Sequence, residues 1–153
     1  VPVIQRHGGS IDKFLGDGIL ATFGAAVPST TYAADALAAV DSVMGTVEAW
    51  NSERAKAGQP PLRVGASVAT GRIIFGAVGD ATRLEYTVIG DAVNLSAKLE
   101  KHTKDESVRA LTTADAYALA CAQGYSPARA CETRRSRSVG GVAQPLDLVV
   151  LAA

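Results

Sequence analysis

The sequence predicts an α/β sandwich, in which helices pack on one face of a mostly antiparallel sheet. Two observations predict it: apolar runs interrupted by glycine indicate hairpins, and two long amphipathic stretches indicate helices. The 153 residues are 48% hydrophobic and 20% charged, which suits a domain with a buried core and excludes a disordered or collagen-like chain. Because no repeat or linker divides the chain, we expect residues 1–153 to form a single domain.

The first element is a hairpin over residues 11–23, where two apolar runs flank Gly16-Asp17-Gly18. An Asp-Gly pair between such runs favours a type I′ turn, whose central residues need positive φ. Asp17 is then at the hairpin tip, where its carboxylate and the exposed backbone could hold a hard cation through oxygen ligands. The simpler interpretation is that Asp17 only makes the turn.

Lys13 is the second candidate in this hairpin. Strand alternation puts it on the same face as Ile11 and Leu15, where its ammonium group would lose hydration and would need an acceptor. The alternative is that its side chain extends to the strand edge and keeps the charge in water.

The middle of the chain alternates between helix and strand. From Tyr32 to Trp50 apolar residues recur at steps of three and four, which predicts an amphipathic helix, and Ala57–Pro61 ends it. Alternation over residues 62–69 predicts a strand, and we expect it to form a second hairpin with residues 73–75.

A strand over residues 83–89 leads into a helix, for which Asp91 is the expected N-cap. Asn94 and Lys98 lie four residues apart on this helix, so an amide and a cation could reach one ligand, although such a pair alone is typical of a solvated face. Further on, we expect strands near 108–112, 132–139 and 146–151, and a short helix over 114–122.

Composition limits the partners and the compartment. Fifteen basic residues balance fifteen acidic ones, so no net field would hold a nucleic acid, and we expect none as a partner. Cys121 and Cys131 are too few and too far apart for a disulfide scaffold, which fits a reducing, cytoplasmic location. No apolar stretch approaches the roughly 20 residues that span a bilayer. The chain starts at Val1 rather than Met, so we expect upstream residues, and these could include a membrane anchor or a regulatory domain.

Several other motifs are absent or incomplete. Residues 71–79 are rich in glycine, but no Gly-Lys-Ser/Thr follows, which excludes a Walker P-loop. No Gly-x-Ser-x-Gly motif occurs, and His7 and His102 lack metal-ligand spacing. The basic cluster at residues 134–137 has few aromatic neighbours, which favours a solvated strand over a nucleic-acid reader.

Two segments, His7–Gly24 and Glu85–Glu100, together resemble the class III adenylyl/guanylyl cyclase catalytic domain. Ala69–Arg72 with Gly76–Gly79 also looks like the central hairpin of that family. The resemblance covers nearly the whole chain and implies a ferredoxin-like cyclase homology fold.

The resemblance implies a head-to-tail homodimer that converts ATP to 3′,5′-cyclic AMP and pyrophosphate at its interface. Two Mg²⁺ or Mn²⁺ ions per site would be held by two aspartates of one subunit, of which the second matches Asp17. Lys13 matches the lysine that reads adenine, and Thr87 matches its partner position. Asn94 matches the transition-state asparagine, and Lys98 stands at the position of an arginine.

Base recognition follows from these residue types. Lys13 can donate to N1 of adenine, whereas guanine carries a donor at N1, so lysine disfavours GTP. Thr87 can either accept from or donate to the exocyclic edge of the base.

Three departures from the family pattern matter. The opening strand of the family, with its first metal aspartate, should lie before Val1, so this chain is expected to lack one metal ligand and that strand. Lys98 keeps the charge of the usual arginine but not its planar fork. Thr87 replaces the more familiar aspartate, as in the bacterial, bicarbonate-responsive branch.

The leading hypothesis is therefore an adenylyl cyclase domain, catalytic in its full-length protein. The alternative is a degenerate cyclase-like module that binds a nucleotide or a partner domain without turnover, and the missing aspartate and Lys98 motivate it. A guanylyl cyclase is the third hypothesis, and Lys13 argues against it.

Overall fold

The computed structural model describes residues 1–153, which form four helices and eight strands. The helices are α1 (Pro2–Arg6), α2 (Tyr32–Lys56), α3 (Asp91–His102) and α4 (Ala114–Ala122). The strands are β1 (Ser10–Leu15), β2 (Gly18–Thr22), β3 (Ala66–Val68), β4 (Ile74–Gly79), β5 (Leu84–Ile89), β6 (Ala110–Thr113), β7 (Glu132–Arg137) and β8 (Leu146–Ala152). The predicted α/β class is confirmed.

Four strands form the central sheet in the order β3-β6-β8-β7, with β3 parallel to β6 and the other pairs antiparallel. Residues 148–152 of β8 are all buried, because both faces of this strand are covered. Val149 and Leu151 pack with α2 and α4, whereas Leu148 and Val150 pack with Leu99 of α3. Helices therefore lie on both faces of the sheet, and the expectation of a single covered face is wrong.

Helix α2 buries the apolar stripe that its periodicity predicts. Ala33, Leu37 and Met44 are fully buried, and the helix ends at Lys56, shortly before Gly58, whose φ of +70° is not helical. The Oε1 atom of Gln123 accepts the backbone amides of Ala33 and Ala34, at 2.8 and 3.1 Å, and so caps the start of the helix.

A buried carboxylate on α2 holds the segment that follows α4. The Tyr125 hydroxyl donates to Asp41 Oδ2 over 2.8 Å, and Arg129 Nη1 lies 3.5 Å from Asp41 Oδ1. Burial and this contact raise the pKa of Tyr125 well above its usual value.

Two antiparallel ribbons, β1–β2 and β4–β5, stand apart from the central sheet. The predicted hairpin over residues 11–23 is present, but only Gly16 in its turn has positive φ, at 64°. That pattern belongs to a type II′ turn, so the type I′ expectation is wrong.

The expected hairpin between residues 62–69 and 73–75 does not form. Strand β3 pairs with β6, and β4 pairs instead with β5. Alternation along β3 shows which of its faces is apolar, but it carries no information about which strand lies beside it.

Gly90 joins β5 to α3 and is the N-cap of the helix, so Asp91 is its first residue rather than the cap. Gly90 has φ +155°, and a Cβ there would lie 2.9 Å from the carbonyl oxygen of Arg72. Only glycine permits both this backbone conformation and the close approach of the two chain segments.

Cys121 and Cys131 are both free thiols. Burial raises the pKa of Cys131, which makes its reactive thiolate form scarcer.

None of the four helices combines the length and the hydropathy needed to cross a membrane.

Two glycine substitutions are expected to change stability in opposite directions. Gly45→Ala, inside α2 and with open space around its Cβ position, should raise the free energy of unfolding by about 0.5–1 kcal/mol. Gly79→Ala should lower it by more than about 1 kcal/mol, because Gly79 has φ +138° and its Cβ would collide with the Arg83 carbonyl. Urea unfolding followed by circular dichroism measures both, and equal midpoints would contradict the expectation.

Candidate functional site

Asp12, Lys13 and Thr87 meet where β1 lies beside β5. The Thr87 hydroxyl donates to Asp12 Oδ2 over 3.0 Å, and Lys13 Nζ lies 3.5 Å from the same oxygen. The Asp12 side chain is 3% exposed, that of Lys13 is 39% exposed, and Thr87 is buried. The structure thus brings together two residues singled out in the sequence, through a third that sequence analysis missed.

A β-bulge explains the position of Asp12. Ile11 pairs with Ala21 and Lys13 pairs with Leu20, so Asp12 is the extra residue in β1. Strict alternation would put Asp12 and Lys13 on opposite faces of the strand, whereas the bulge lets these adjacent side chains approach one point. The expected face of Lys13, shared with Ile11 and Leu15, is therefore not maintained along β1.

Charge balance accounts for the contacts of Asp12. A buried carboxylate is costly unless hydrogen bonds and an opposite charge compensate for its lost hydration. Thr87 supplies the hydrogen bond and Lys13 supplies the charge. Lys13 therefore has the acceptor that the sequence argument required, and it also remains partly exposed to solvent.

Asp17 lies at the exposed tip of the β1–β2 turn, away from this trio. No three or more His, Cys, Asp or Glu side chains are grouped as metal ligands anywhere in residues 1–153. Asp12 is engaged by Lys13 and Thr87, which leaves Asp17 as a single oxygen ligand. The donor set of this chain alone therefore does not fit a pair of divalent ions, which prefer six or more oxygen ligands each.

Asn94 and Lys98 lie on α3, one helical turn apart, and neither hydrogen-bonds to Lys13 or Thr87. The Asn94 side chain is exposed and makes no hydrogen bond within the chain. Lys98 Nζ donates to the carbonyl oxygen of Gly141 over 2.7 Å. A polar hollow beside Lys98 is also lined by Lys101, His102, Asp105 and Gly140, so cationic side chains gather at this end of α3.

The β4–β5 ribbon exposes an apolar surface, which we call the ribbon face: Phe75, Ala77, Leu84 and Tyr86. Cross-strand pairing puts Ala77 beside Tyr86 and Phe75 beside Val88 on one side of the ribbon. Phe75, Leu84 and Tyr86 are 42%, 64% and 73% exposed. The alternation that predicted an apolar face in residues 83–89 is present, but only Val88 on that face is buried, whereas Leu84 and Tyr86 are exposed to solvent. Contiguous apolar surface of this kind is typical of an interaction site.

Comparison with known proteins identifies the family. The model of the adenylate and guanylate cyclase catalytic domain matches residues 3–139. Adenylate cyclase 1 of Rhizobium meliloti is 35% identical over 111 residues, which are 72% of this chain and 17% of that protein. The adenylate cyclase of Anabaena cylindrica is 34% identical over 128 residues, or 80% of this chain and 24% of that protein. The chain thus spans about a fifth of the length of these relatives.

Solved structures agree with this assignment. The crystal structure of the guanylyl cyclase Cya2 superposes with a TM-score of 0.74 and 26% identity, over 99% of this chain and 73% of that one. The crystal structure of the adenylyl cyclase CyaB from P. aeruginosa gives a TM-score of 0.70 and 28% identity, over 99% of this chain and 75% of that one. Because one of the two is a guanylyl and the other an adenylyl cyclase, similarity of fold leaves the base to be decided by the site.

The contact between Thr87 and Asp12 is expected to contribute to stability. Thr87→Val keeps the shape of the side chain but leaves the buried carboxylate without its hydroxyl donor, so it should lower the free energy of unfolding by about 1–3 kcal/mol. Thr87→Ser keeps the hydroxyl and is the matched control, with a smaller loss. Urea unfolding measures both, and a valine variant as stable as the serine variant would contradict the contact.

Proposed function

We propose a reaction for this chain on the basis of its family, the adenylate and guanylate cyclase catalytic domain, to which it belongs. Residues 1–153 are proposed to be part of a single catalytic domain that converts ATP to 3′,5′-cyclic AMP and pyrophosphate. The observation that carries the choice of ATP is the contact of Lys13 and Thr87 with one buried carboxylate. The two relatives described above that are named adenylate cyclases support the same choice.

Lys13 and Thr87 are proposed to bind the adenine base. The Lys13 ammonium has hydrogens to donate and no lone pair, so it is complementary to N1 of adenine and repels the N1–H of guanine. The Lys13 side chain is 39% exposed, so a ligand can reach it. The ion pair with Asp12 restricts the directions in which the ammonium group can point. Thr87 is the partner for the exocyclic group at position 6 of the base.

Asn94 and Lys98 are proposed to act on the ribose and the phosphates. The exposed amide of Asn94 can orient the ribose whose 3′-hydroxyl attacks the α-phosphorus. Lys98 can exchange the neutral Gly141 carbonyl for a phosphate oxygen and so stabilise charge that develops during the attack. As a point charge without the planar fork of arginine, it constrains the phosphate geometry less.

Asp17 is proposed as one ligand of a divalent ion, Mg²⁺ or Mn²⁺. Its exposed place at the β1–β2 turn gives a cation access to the carboxylate. Since no three His, Cys, Asp or Glu side chains of residues 1–153 are grouped as metal ligands, we propose that the other aspartate of a two-ion site lies outside these residues.

A second copy of this chain is the proposed occupant of the ribbon face. The apolar side chains of that face are exposed on β4 and β5, and Thr87 lies on the opposite side of β5, facing β1. A partner packed there would contact the two strands of the ribbon whose other side carries Thr87. We therefore propose a head-to-tail homodimer, in which the base-binding residues of one copy and Asp17 of the other complete one site.

The setting of the domain follows from its substrate. ATP supply and two free thiols favour the cytoplasm. Because the chain covers 17% and 24% of two relatives, we propose that the full-length protein also carries a regulatory domain.

A second candidate function is a cyclase-like module that binds a nucleotide without turnover. The observation that favours it is the lone carboxylate at Asp17, together with lysine rather than arginine at position 98. ATP binding by calorimetry with no product formed by the full-length protein would establish this function in place of catalysis.

Catalysis is tested by cyclic AMP formation from ATP, with Mg²⁺ or Mn²⁺, by the full-length protein. Asn94→Ala and Lys98→Met should each lower kcat about 100-fold, because each removes a group that stabilises the transition state. Lys104→Met removes an exposed cation just beyond the end of the same helix, outside the hollow that Lys98 lines, and should leave kcat unchanged. A wild-type protein without activity above that of Asp17→Ala would refute the proposal.

The dimer is tested by sedimentation equilibrium. Tyr86→Asp puts a charge on the ribbon face, where Tyr86 is 73% exposed, and should weaken self-association at least about tenfold, with a parallel loss of activity. Val27→Asp makes a similar change at a residue that is 67% exposed outside that face, and should leave both properties unchanged. If the two variants associate equally, the ribbon face is not the interface.

A further inference from the structure

We propose that Asp12 is a specificity-determining residue, because its carboxylate takes the hydroxyl hydrogen of Thr87 and so makes that hydroxyl an acceptor for the 6-amino group of adenine. The inference rests on the proposed function and deepens it: Asp12 would touch no atom of the nucleotide and would act through Thr87. Asp12 would also decide whether the Thr87 hydroxyl donates to the base or accepts from it.

The chemistry of a hydroxyl group makes the direction of its hydrogen bond important. A threonine hydroxyl has one hydrogen and two lone pairs, and it rotates to donate or to accept according to its partner. A carboxylate oxygen has no hydrogen to offer. Since Thr87 Oγ1 lies 3.0 Å from Asp12 Oδ2, the hydroxyl hydrogen is directed at Asp12 and only lone pairs remain for a ligand.

Burial keeps this direction fixed. The Asp12 side chain is 3% exposed and Thr87 is 9% exposed, so little water is available to replace either partner. Lys13 Nζ, 3.5 Å from the same Asp12 oxygen, supplies the positive charge that a buried carboxylate needs. The bulge at position 12 is what brings this carboxylate to both side chains.

The resulting pair matches adenine at two adjacent positions. Lys13 offers a donor and Thr87 an acceptor, whereas adenine presents an acceptor at N1 and a donor at its 6-amino group. Guanine presents the reverse, with a hydrogen on N1 and a carbonyl at position 6, so both contacts fail. Without Asp12, Thr87 could rotate and donate to the guanine carbonyl, which would remove one of the two mismatches.

The first test compares substrates in variants of the full-length protein. Asp12→Asn gives the Thr87 hydroxyl a partner that can donate as well as accept. The hydroxyl can then rotate and either donate to the base or accept from it. We expect the ratio of kcat/KM for ATP to that for GTP to fall about 10- to 100-fold. The matched control is Asp80→Asn, because Asp80 also accepts a hydroxyl hydrogen bond, from Thr82 over 2.6 Å, but in the β4–β5 loop. That variant should keep the wild-type ratio.

A purely structural role for Asp12 predicts a different result. Distortion of the site would lower activity with ATP and GTP alike and leave their ratio unchanged. In the Thr87→Val background, where no hydroxyl remains to be directed, adding Asp12→Asn should lower this ratio less than it does in the wild-type protein. An Asp12→Asn ratio within about twofold of the wild type, or an equal effect in both backgrounds, would overturn the proposal.

The second test uses only the wild-type protein and varies the nucleotide. The triphosphates of adenosine, purine riboside and 6-methoxypurine riboside all keep the N1 acceptor, but only adenosine has a donor at position 6. A fixed acceptor at Thr87 predicts that the wild-type protein binds adenosine triphosphate about 10-fold or more tightly than the other two, with no advantage for the methoxy compound over purine riboside. Tighter binding of the methoxy compound would overturn the proposal, since it requires Thr87 to donate.

The two proposals can fail separately. Affinities measured by calorimetry test the direction of the Thr87 hydroxyl whether or not product forms. Absence of any cyclic nucleotide would refute catalysis and leave the role of Asp12 to be decided by these affinities.

Discussion

The burial of β8 on both faces is the constraint on which the rest of the fold depends. A strand with consecutive apolar residues must be covered above and below, so α2 and α4 pack on one face of the central sheet and α3 packs on the other. The two ribbons are not part of this four-stranded sheet. They lie outside it, and the contact of Asp12 with Thr87 links one ribbon to the other.

This arrangement separates stability from recognition. The central sheet and its helices contain most of the buried leucines and valines, whereas the ribbons carry Lys13, Asp17 and Thr87. Helix α3 belongs to both parts, because Leu99 is buried in the core while Asn94 is exposed to solvent. The groups proposed to meet the nucleotide are therefore held by elements whose outer surfaces remain free to receive a partner.

Much of the fold was predictable because it depends on local periodicity. The stripe from Ala33 to Val47 and the Gly-Asp-Gly turn each specify one element with no reference to the rest of the chain. The partner of β3 was not predictable, since the residues of β6 lie far along the sequence and alternation is the same beside any neighbour. The outward direction of Tyr86 was missed for the same reason, because alternation identifies an apolar face without saying what covers it.

The candidate site was predictable only in part. Lys13 stood out as a charge on an apolar strand face and Thr87 through the family resemblance, and no local pattern joins them. Asp12 and Thr87 are 75 positions apart, and their contact depends on a bulge set by the pairing of β1 with Leu20 and Ala21. The available signal was two adjacent charged residues in an otherwise apolar strand, of which at least one had to be buried or find a partner.

Gly90 has a mechanical consequence. It is the one residue between the end of β5 and the start of α3, and the chain there passes against the backbone of Arg72 and Ile73. Glycine is often associated with flexible joints, but in this crowded position it leaves no slack. A displacement of the proposed base-binding strand would therefore also move the first turn of α3, which carries Asn94.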